Sequence, residues 1–303
     1  METAQKATGL LRYLADMEFP EMLCAKVFYS DRPHALIRNI HTERAARARG
    51  VRAVLLAQDV PGRNRLGDAP NDPPLLAEGR VRYAGEAIAL LAAEEEGLAD
   101  EALNVIEVEY EDLPPLFCPE KAMEPDSPSL HEGGNLLCHL KIDVGDAEEA
   151  LAKCDEVVEH TFRIPPLEHL PIETEGAVAA PGSHGLTIWA PTQAPFHVQR
   201  TVAACLAIPR EDIRVIQTPC GGGFGSKAEG SIAVAARAAL LAHHLQKPVK
   251  LFPSREESII SSTKRHACII HYALGAQRNG RLLAARARIF LEKGAYSHWG
   301  GPI

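Results

Sequence analysis

The chain has 303 residues, a formal net charge of −8, 46% hydrophobic and 24% charged residues, a balance that excludes disordered and fibrous classes. At ~100–200 residues per domain two domains are expected, and the acidic surplus argues against a nucleic-acid or anionic-membrane surface, which needs a basic patch. The longest apolar run, Ala87–Ala93, is too short for a membrane span, and residues 1–20 lack the continuous apolar stretch of a secretory signal.

In chain order, Leu23–Tyr29 and Ala35–Ile40 read as strands. Thr42 is placed to N-cap a helix over Glu43–Arg49, with Gly50 at its C′ position. Val51–Leu56 returns as a strand, and Asp59–Pro74 is loop, broken by Pro61-Gly62 and Asn71-Asp72-Pro73-Pro74. A strand at Glu86–Leu91, a helix over Glu94–Leu103 and a strand at Val105–Tyr110 complete an α/β unit. The patternless, proline-rich section from Pro114 to Asn135 reads as a linker. The expected division is therefore a first domain over 1–118, a linker over 119–135 and a second domain over 136–303.

Beyond the linker, Asp146–Lys153 predicts a helix, Asp155–Phe162 and Leu186–Trp189 strands, and Pro195–Leu206 a helix with Pro195 in its first turn. Ile213–Gln217 is a strand that feeds a glycine loop. Glu229–Leu245 is the longest helix, with Ile232, Ala235, Ala236, Ala239 and Leu240 on one face. Val249–Phe252 follows as a strand. Ala267–Leu274 and Leu282–Leu291 form a hairpin through Asn279-Gly280, a type I′ signal. The chain stops at Gly300-Gly301-Pro302-Ile303 just past a strand, which reads as a truncation.

The chemically loudest segment is Cys220-Gly221-Gly222-Gly223-Phe224-Gly225-Ser226-Lys227, between that strand and the longest helix. Glycines let backbone amides approach a guest without Cβ interference. A helix N-terminus adds aligned donors, and Lys227 is expected to add a full positive charge, so an oxyanion is the natural guest. Phe224 either anchors the loop in the core or projects into a pocket. Ser226 separates glycine from lysine, against a Walker loop, and Val249–Phe252 offers no acidic residue to complete a dinucleotide fingerprint.

Other constellations are weaker. His243 and His244 point ~100° apart on a helix and cannot easily share one ion; they read as surface groups. Glu173 and Glu175 alternate, on one face, as a carboxylate pair or as structural groups. Glu86, after Gly85, reads equally as a buried carboxylate bridging the two domains or as a residue that merely ends a turn. The seven cysteines are scattered with no CxxC, so no zinc or iron–sulfur signature is present and reduced thiols in a cytoplasmic protein are expected.

Gly221–Lys227 is similar to the GGGFGGK segment of the molybdenum hydroxylases, the xanthine dehydrogenase/aldehyde oxidase family. Four further segments follow in the family's order. Lys6-Ala7-Thr8-Gly9 with Arg12-Tyr13 and Asp16 resembles the opening of the molybdenum-cofactor subunit. Val81-Arg82-Tyr83-Ala84-Gly85-Glu86 resembles the VxYxGE segment of its hammerhead domain. Ile172-Glu173 with Trp189-Ala190-Pro191-Thr192-Gln193, and Lys293-Gly294-Ala295-Tyr296, resemble later ones.

The resemblance implies an α/β (α+β) chain, a hammerhead α/β domain followed by part of a molybdenum-cofactor-binding domain. It implies a molybdenum held by the dithiolene of a pterin, in bacteria extended to a cytosine dinucleotide. Gln193, Gly222, Gly223, Phe224 and Gly225 match cofactor-binding positions, with Gln193 and Phe224 beside the metal's oxygen ligand. Ala228 stands on the substrate side where purine-oxidising members place a glutamate, so xanthine is not the expected substrate. Ser226 departs from the family's glycine.

The implied reaction hydroxylates an aldehyde or N-heterocycle with oxygen from water. The family's catalytic glutamate falls past residue 303, so no catalytic residue is expected in this chain. Expected partners are the remaining part of the large subunit, an iron–sulfur subunit, an FAD subunit and a small-molecule substrate. The competing expectations are a non-catalytic split or truncated product that binds an anion or a partner chain, and a nucleotide-binding protein.

Overall fold

The computed structural model describes residues 2–182 and 185–297. In chain order the elements are α1 (Glu2–Ala7), β1 (Leu23–Tyr29), β2 (Ala35–His41), α2 (Glu43–Ala46), β3 (Val51–Leu55), β4 (Arg80–Val81), β5 (Ala87–Ala93), α3 (Glu96–Leu103) and β6 (Glu107–Asp112). There follow α4 (Pro119–Ala122), α5 (Ala147–Ala152), β7 (Glu156–Ile164), β8 (Ala177–Gly182), β9 (Gly185–Ala190), α6 (Pro195–Leu206) and β10 (Ile213–Gln217). The last are α7 (Ser226–Leu245), β11 (Val249–Leu251), α8 (Arg255–Ser261), β12 (Ala267–Ala276) and β13 (Leu282–Glu292). Gly300-Gly301-Pro302-Ile303 lies outside the described residues.

Two compact units result, and they do not follow chain order: residues 1–114 with 169–263, and residues 115–168 with 264–303. The first unit is built on a seven-stranded mixed sheet of order β10-β9-β8-β11-β1-β5-β3. Its strands come from both sides of the proline-rich section: β1 lies parallel to β11, with Leu23 opposite Val249. β5, apolar and buried at every residue, fits a central strand covered on both faces. A second, three-stranded sheet of order β4-β2-β6 belongs to the same unit.

Helix α7 is buried well beyond the one face predicted, with Val234, Ala238, Leu241 and Ala242 also inside. Its alanine-rich surface lets it lie close against β8 on one side and α6 on the other. Gly85 is a point of forced contact: its φ is +106°, and a Cβ there would sit 2.1 Å from the Ile260 carbonyl oxygen. Beside it Glu86 is buried, and its Oε2 accepts from the Arg82 amide at 2.6 Å. The carboxylate is thus buried, as one reading expects, and this bond lies within one unit rather than between two. Burial, with the Glu86 charge nearby, pushes the Tyr83 phenol far up.

The second unit is a sheet of order β13-β12-β7 with α5 against it. The expected type I′ turn is not formed. Gly280 takes φ +86°, whereas Asn279 has no positive φ, and a type I′ turn needs both. The Gly280 amide donates to the Gln277 carbonyl at 2.9 Å, and the Gln277 amide to the Arg281 carbonyl at 2.9 Å. This is a three-residue loop whose glycine makes a G1 bulge. The proline-rich section carries local hydrogen bonds of its own: Asn135 donates to Ala122 O at 3.1 Å and Pro128 O at 3.0 Å, and accepts from the Leu130 amide at 3.0 Å.

Candidate functional site

The glycine bend joins β10 to α7 within the first unit, and α7 starts at Ser226, three residues earlier than its apolar pattern predicts. The bend makes this possible. Gly225, at φ +101°, is the N-cap, and the Ser226 amide and hydroxyl both donate to Gly223 O, at 2.9 and 3.0 Å. The Ala228 amide then reaches Gly225 O at 3.1 Å. The Ser226 hydroxyl thus supplies a bond that a glycine at this position could not.

Three left-handed residues within four positions shape the bend as a cradle. Gly222, Phe224 and Gly225 all have positive φ, at +99°, +53° and +101°, a left-handed backbone that side chains normally disfavour and that suits an anion-binding concavity. Phe224 adopts this strained conformation with its ring 75% exposed, so it projects outward and does not anchor the loop in the core. A Cβ on Gly223 would meet Gln193 Oε1 at 3.0 Å. Among the described residues nothing accepts from the Gly222, Gly223 and Phe224 amides.

Gln193 arrives from the turn between β9 and α6. Its amide donates to Lys227 O at 3.0 Å, and its Oε1 accepts from the Gly225 amide at 3.2 Å. The buried Thr192 hydroxyl also faces Lys227 O, at 3.4 Å, and accepts from the Ala194 amide at 3.1 Å. Of the sequence-predicted residues, Gln193, Gly223 and Gly225 are thus in mutual contact, with Gly222 and Phe224 on the same bend. Ala228 is half-buried in the first turn of α7, and His243 and His244 lie in its last turn. Among the described residues no three His, Cys, Asp or Glu side chains converge on one point.

The expectation that Lys227 offers a positive charge to a guest is overturned. Its side chain is fully buried and its Nζ pairs with Glu173 Oε2 at 2.8 Å. The same oxygen accepts from the Gly221 amide at 2.7 Å. Glu173 and Glu175 are not in a strand and do not act as a pair: Glu175 accepts from Ser258 Oγ at 2.7 Å. The segment before Glu173 is held by Arg255, which donates to Pro171 O and, at 3.0 Å, to Ile172 O. Arg255 carried no motif, and contacts across 83 and 84 residues leave no spacing signal.

What remains for a guest is a row of backbone amides, a primary amide, the start of a 20-residue helix and an exposed phenyl ring. A negatively polarised oxygen suits such donors without needing a formal counter-charge.

Two family models match the chain: the molybdopterin cofactor-binding domain over residues 130–303, and the aldehyde oxidase and xanthine dehydrogenase a/b hammerhead domain over residues 8–114. The chain is 43% identical over 299 residues to a probable xanthine dehydrogenase subunit of Bacillus subtilis (strain 168), covering 98% of this chain and 40% of that one. It is 40% identical over 304 residues to the nicotinate dehydrogenase large molybdopterin subunit of Eubacterium barkeri, covering 100% of this chain and 71% of that one. Among solved structures, the aldehyde oxidoreductase of Desulfovibrio desulfuricans ATCC 27774 superposes with a TM-score of 0.92 at 26% identity, over 99% of this chain and 35% of that one.

Proposed function

Because the chain belongs to the aldehyde oxidase and xanthine dehydrogenase family of molybdenum hydroxylases, we propose that it binds the pterin-held molybdenum of an enzyme that hydroxylates an aldehyde or N-heterocycle. The residues fit such a group. A Cβ at Gly223 would fill the cradle beside Gln193, and Glu173 Oε1 is buried at its edge with no hydrogen-bond partner among the described residues. When bound, the group supplies a metal that takes two electrons from a carbon centre as that carbon gains oxygen derived from water. The amides of Gly222, Gly223 and Phe224 would hold it, with the Gln193 side chain oriented by Gly225. Phe224 would wall the site against bulk water, and Ala228 would leave room for substrate where a longer side chain would not.

The observation that carries this reading is the Gly225–Gln193 hydrogen bond on a bend in which, among the described residues, three adjacent amides have no acceptor. The finer assignments are proposals too. In chain order we take 1–118 as the hammerhead domain, 119–135 as a linker and 136–303 as part of the first cofactor domain. We place the cofactor as its cytosine dinucleotide form, with iron–sulfur and FAD groups on partner chains, and the remainder of the large subunit as a partner. The chain spans about 40% of the Bacillus relative's length, and we assign it no base, so it is expected to give no turnover alone. We place the chain in the cytoplasm, where its seven free cysteines would stay reduced; no described helix is long and apolar enough to cross a membrane.

Metal analysis tests the proposal. The chain, assembled with its partner chains in a host that makes the cofactor, is expected to retain molybdenum and a pterin dinucleotide through gel filtration. A metal-free assembly from that host refutes it.

A further inference from the structure

We propose that Glu173 and Lys227 form an internally neutral clamp that sets the position of the 222–226 bend and of the Gln193 side-chain amide. Both are positioning residues, and the inference rests on the reading of that bend as the cofactor's cradle. One carboxylate oxygen, Glu173 Oε2, receives the amide of Gly221 at 2.7 Å and the ammonium of Lys227 at 2.8 Å. Those residues are the two ends of the bend. The Glu173 amide donates back to Gly221 O at 3.2 Å, so the first end is held by two bonds. Gly221 must be glycine for this approach: a Cβ there would lie 2.6 Å from Glu173 Cβ.

The second end transmits the clamp to Gln193. The Lys227 carbonyl receives the Gln193 amide at 3.0 Å, and the Gln193 side chain receives the Gly225 amide at 3.2 Å. Moving Lys227 therefore moves both groups that face the guest. A buried ion pair adds little net stability over apolar residues of the same size, whereas removing one partner leaves a buried charge uncompensated. At this site the pair fixes register: the two ends of the bend converge on one atom, and the lysine's charge is withdrawn from the cradle.

Residue-resolved hydrogen–deuterium exchange on the full 303-residue chain tests the clamp. In Lys227→Met the amides of Gly221, Gly225 and Ser226 are expected to exchange at least tenfold faster, with those of residues 231–242 unchanged. Glu173→Gln, whose side-chain oxygen still accepts from Gly221, is expected to produce a smaller rise. Adding Glu173→Gln to Lys227→Met is expected to accelerate exchange no further, because the uncompensated charge is gone. Unchanged bend amides in Lys227→Met, or residues 231–242 accelerating in step with them, would overturn the clamp. Should Lys227→Met fail to fold, Glu173→Gln decides alone: a faster Gly225 amide supports the clamp and an unchanged one overturns it.

Molybdenum content of the loaded assembly supplies the second readout. Lys227→Met is expected to retain at most a fifth of the wild-type content. Wild-type content beside a loosened bend overturns the positioning role. A wild-type assembly without molybdenum refutes the cofactor reading instead, and the exchange data still decide the clamp.

Discussion

In the proposed site Phe224 is where fold and function separate, because it is exposed and carries a strained backbone. A phenylalanine buries ~200 Å² when fully enclosed, and this ring is 75% exposed. Truncation to alanine thus forfeits about 50 Å², or ~1 kcal/mol at ~25 cal/mol per Å². Its backbone, at φ +53°, costs an L-residue ~1–2 kcal/mol relative to glycine, against ~0.4–1 kcal/mol of extra unfolded-chain entropy that glycine brings. Phe224→Gly is therefore expected to be about 1 kcal/mol more stable than Phe224→Ala. Urea unfolding of the three proteins, followed by circular dichroism, measures both differences. In the loaded assembly each variant is expected to lose at least about a hundredfold in turnover, the scale on which misplaced reactants lose rate. A loss of more than ~3 kcal/mol in Phe224→Ala, on the scale of emptying a core site, would show that the ring is a core anchor. Wild-type turnover in either variant would remove the ring from the site.

Gly85→Ala joins a left-handed backbone to a Cβ 2.1 Å from the Ile260 carbonyl oxygen, and is expected to cost ~3 kcal/mol in the same urea assay; a neutral result would refute the contact. His34 gives a pH dependence. Its Nε2 accepts from Arg80 Nε at 2.9 Å and its Nδ1 therefore donates to Pro114 O at 2.7 Å. Burial, with the neighbouring guanidinium, holds its pKa below the usual histidine value. The unfolded chain then binds the proton first, so stability present at pH 7 is expected to fall as pH drops through ~6.5 toward the depressed folded value. His34→Asn should flatten that part of the acid limb, and an unchanged limb would contradict the assignment. Cys205, pushed up to about 11 by burial, is expected to resist iodoacetamide at pH 8 while exposed Cys138 reacts first, as mass spectrometry of the alkylated chain would show.

Local signals carried the elements well. Pro195–Leu206 and Ile213–Gln217 have the bounds that their patterns predict, because proline fixes a first turn and a β-branched run prefers a strand. Ala177–Gly182 and Arg255–Ser261 left less trace. The former is mostly alanine, with one valine, one proline and a closing glycine, and becomes β8 only because β9 and β11 pair with it; the latter is a short helix whose capping box, Ser254 with Glu257, was its sole local sign. The seven-stranded sheet was invisible for a different reason. β1 and β11 pair across more than two hundred residues, and no periodicity encodes a partner at that distance.

The site divides along the same line. Its glycines were legible because positive φ admits glycine, whereas Gln193 was reached only through the resemblance of its Thr-Gln segment to the family's. The fate of Lys227 was not legible, because its charge depends on Glu173, 54 residues away. That distinction alters the chemistry of recognition. A free lysine at the bend would draw in any phosphate by long-range attraction, which weakens with salt. A lysine already paired leaves attraction to backbone amides, whose dipoles act only at contact and in one direction. On the proposed reading the cradle would discriminate by shape and donor placement before charge, and its selectivity would depend on how firmly the two ends of the bend are held.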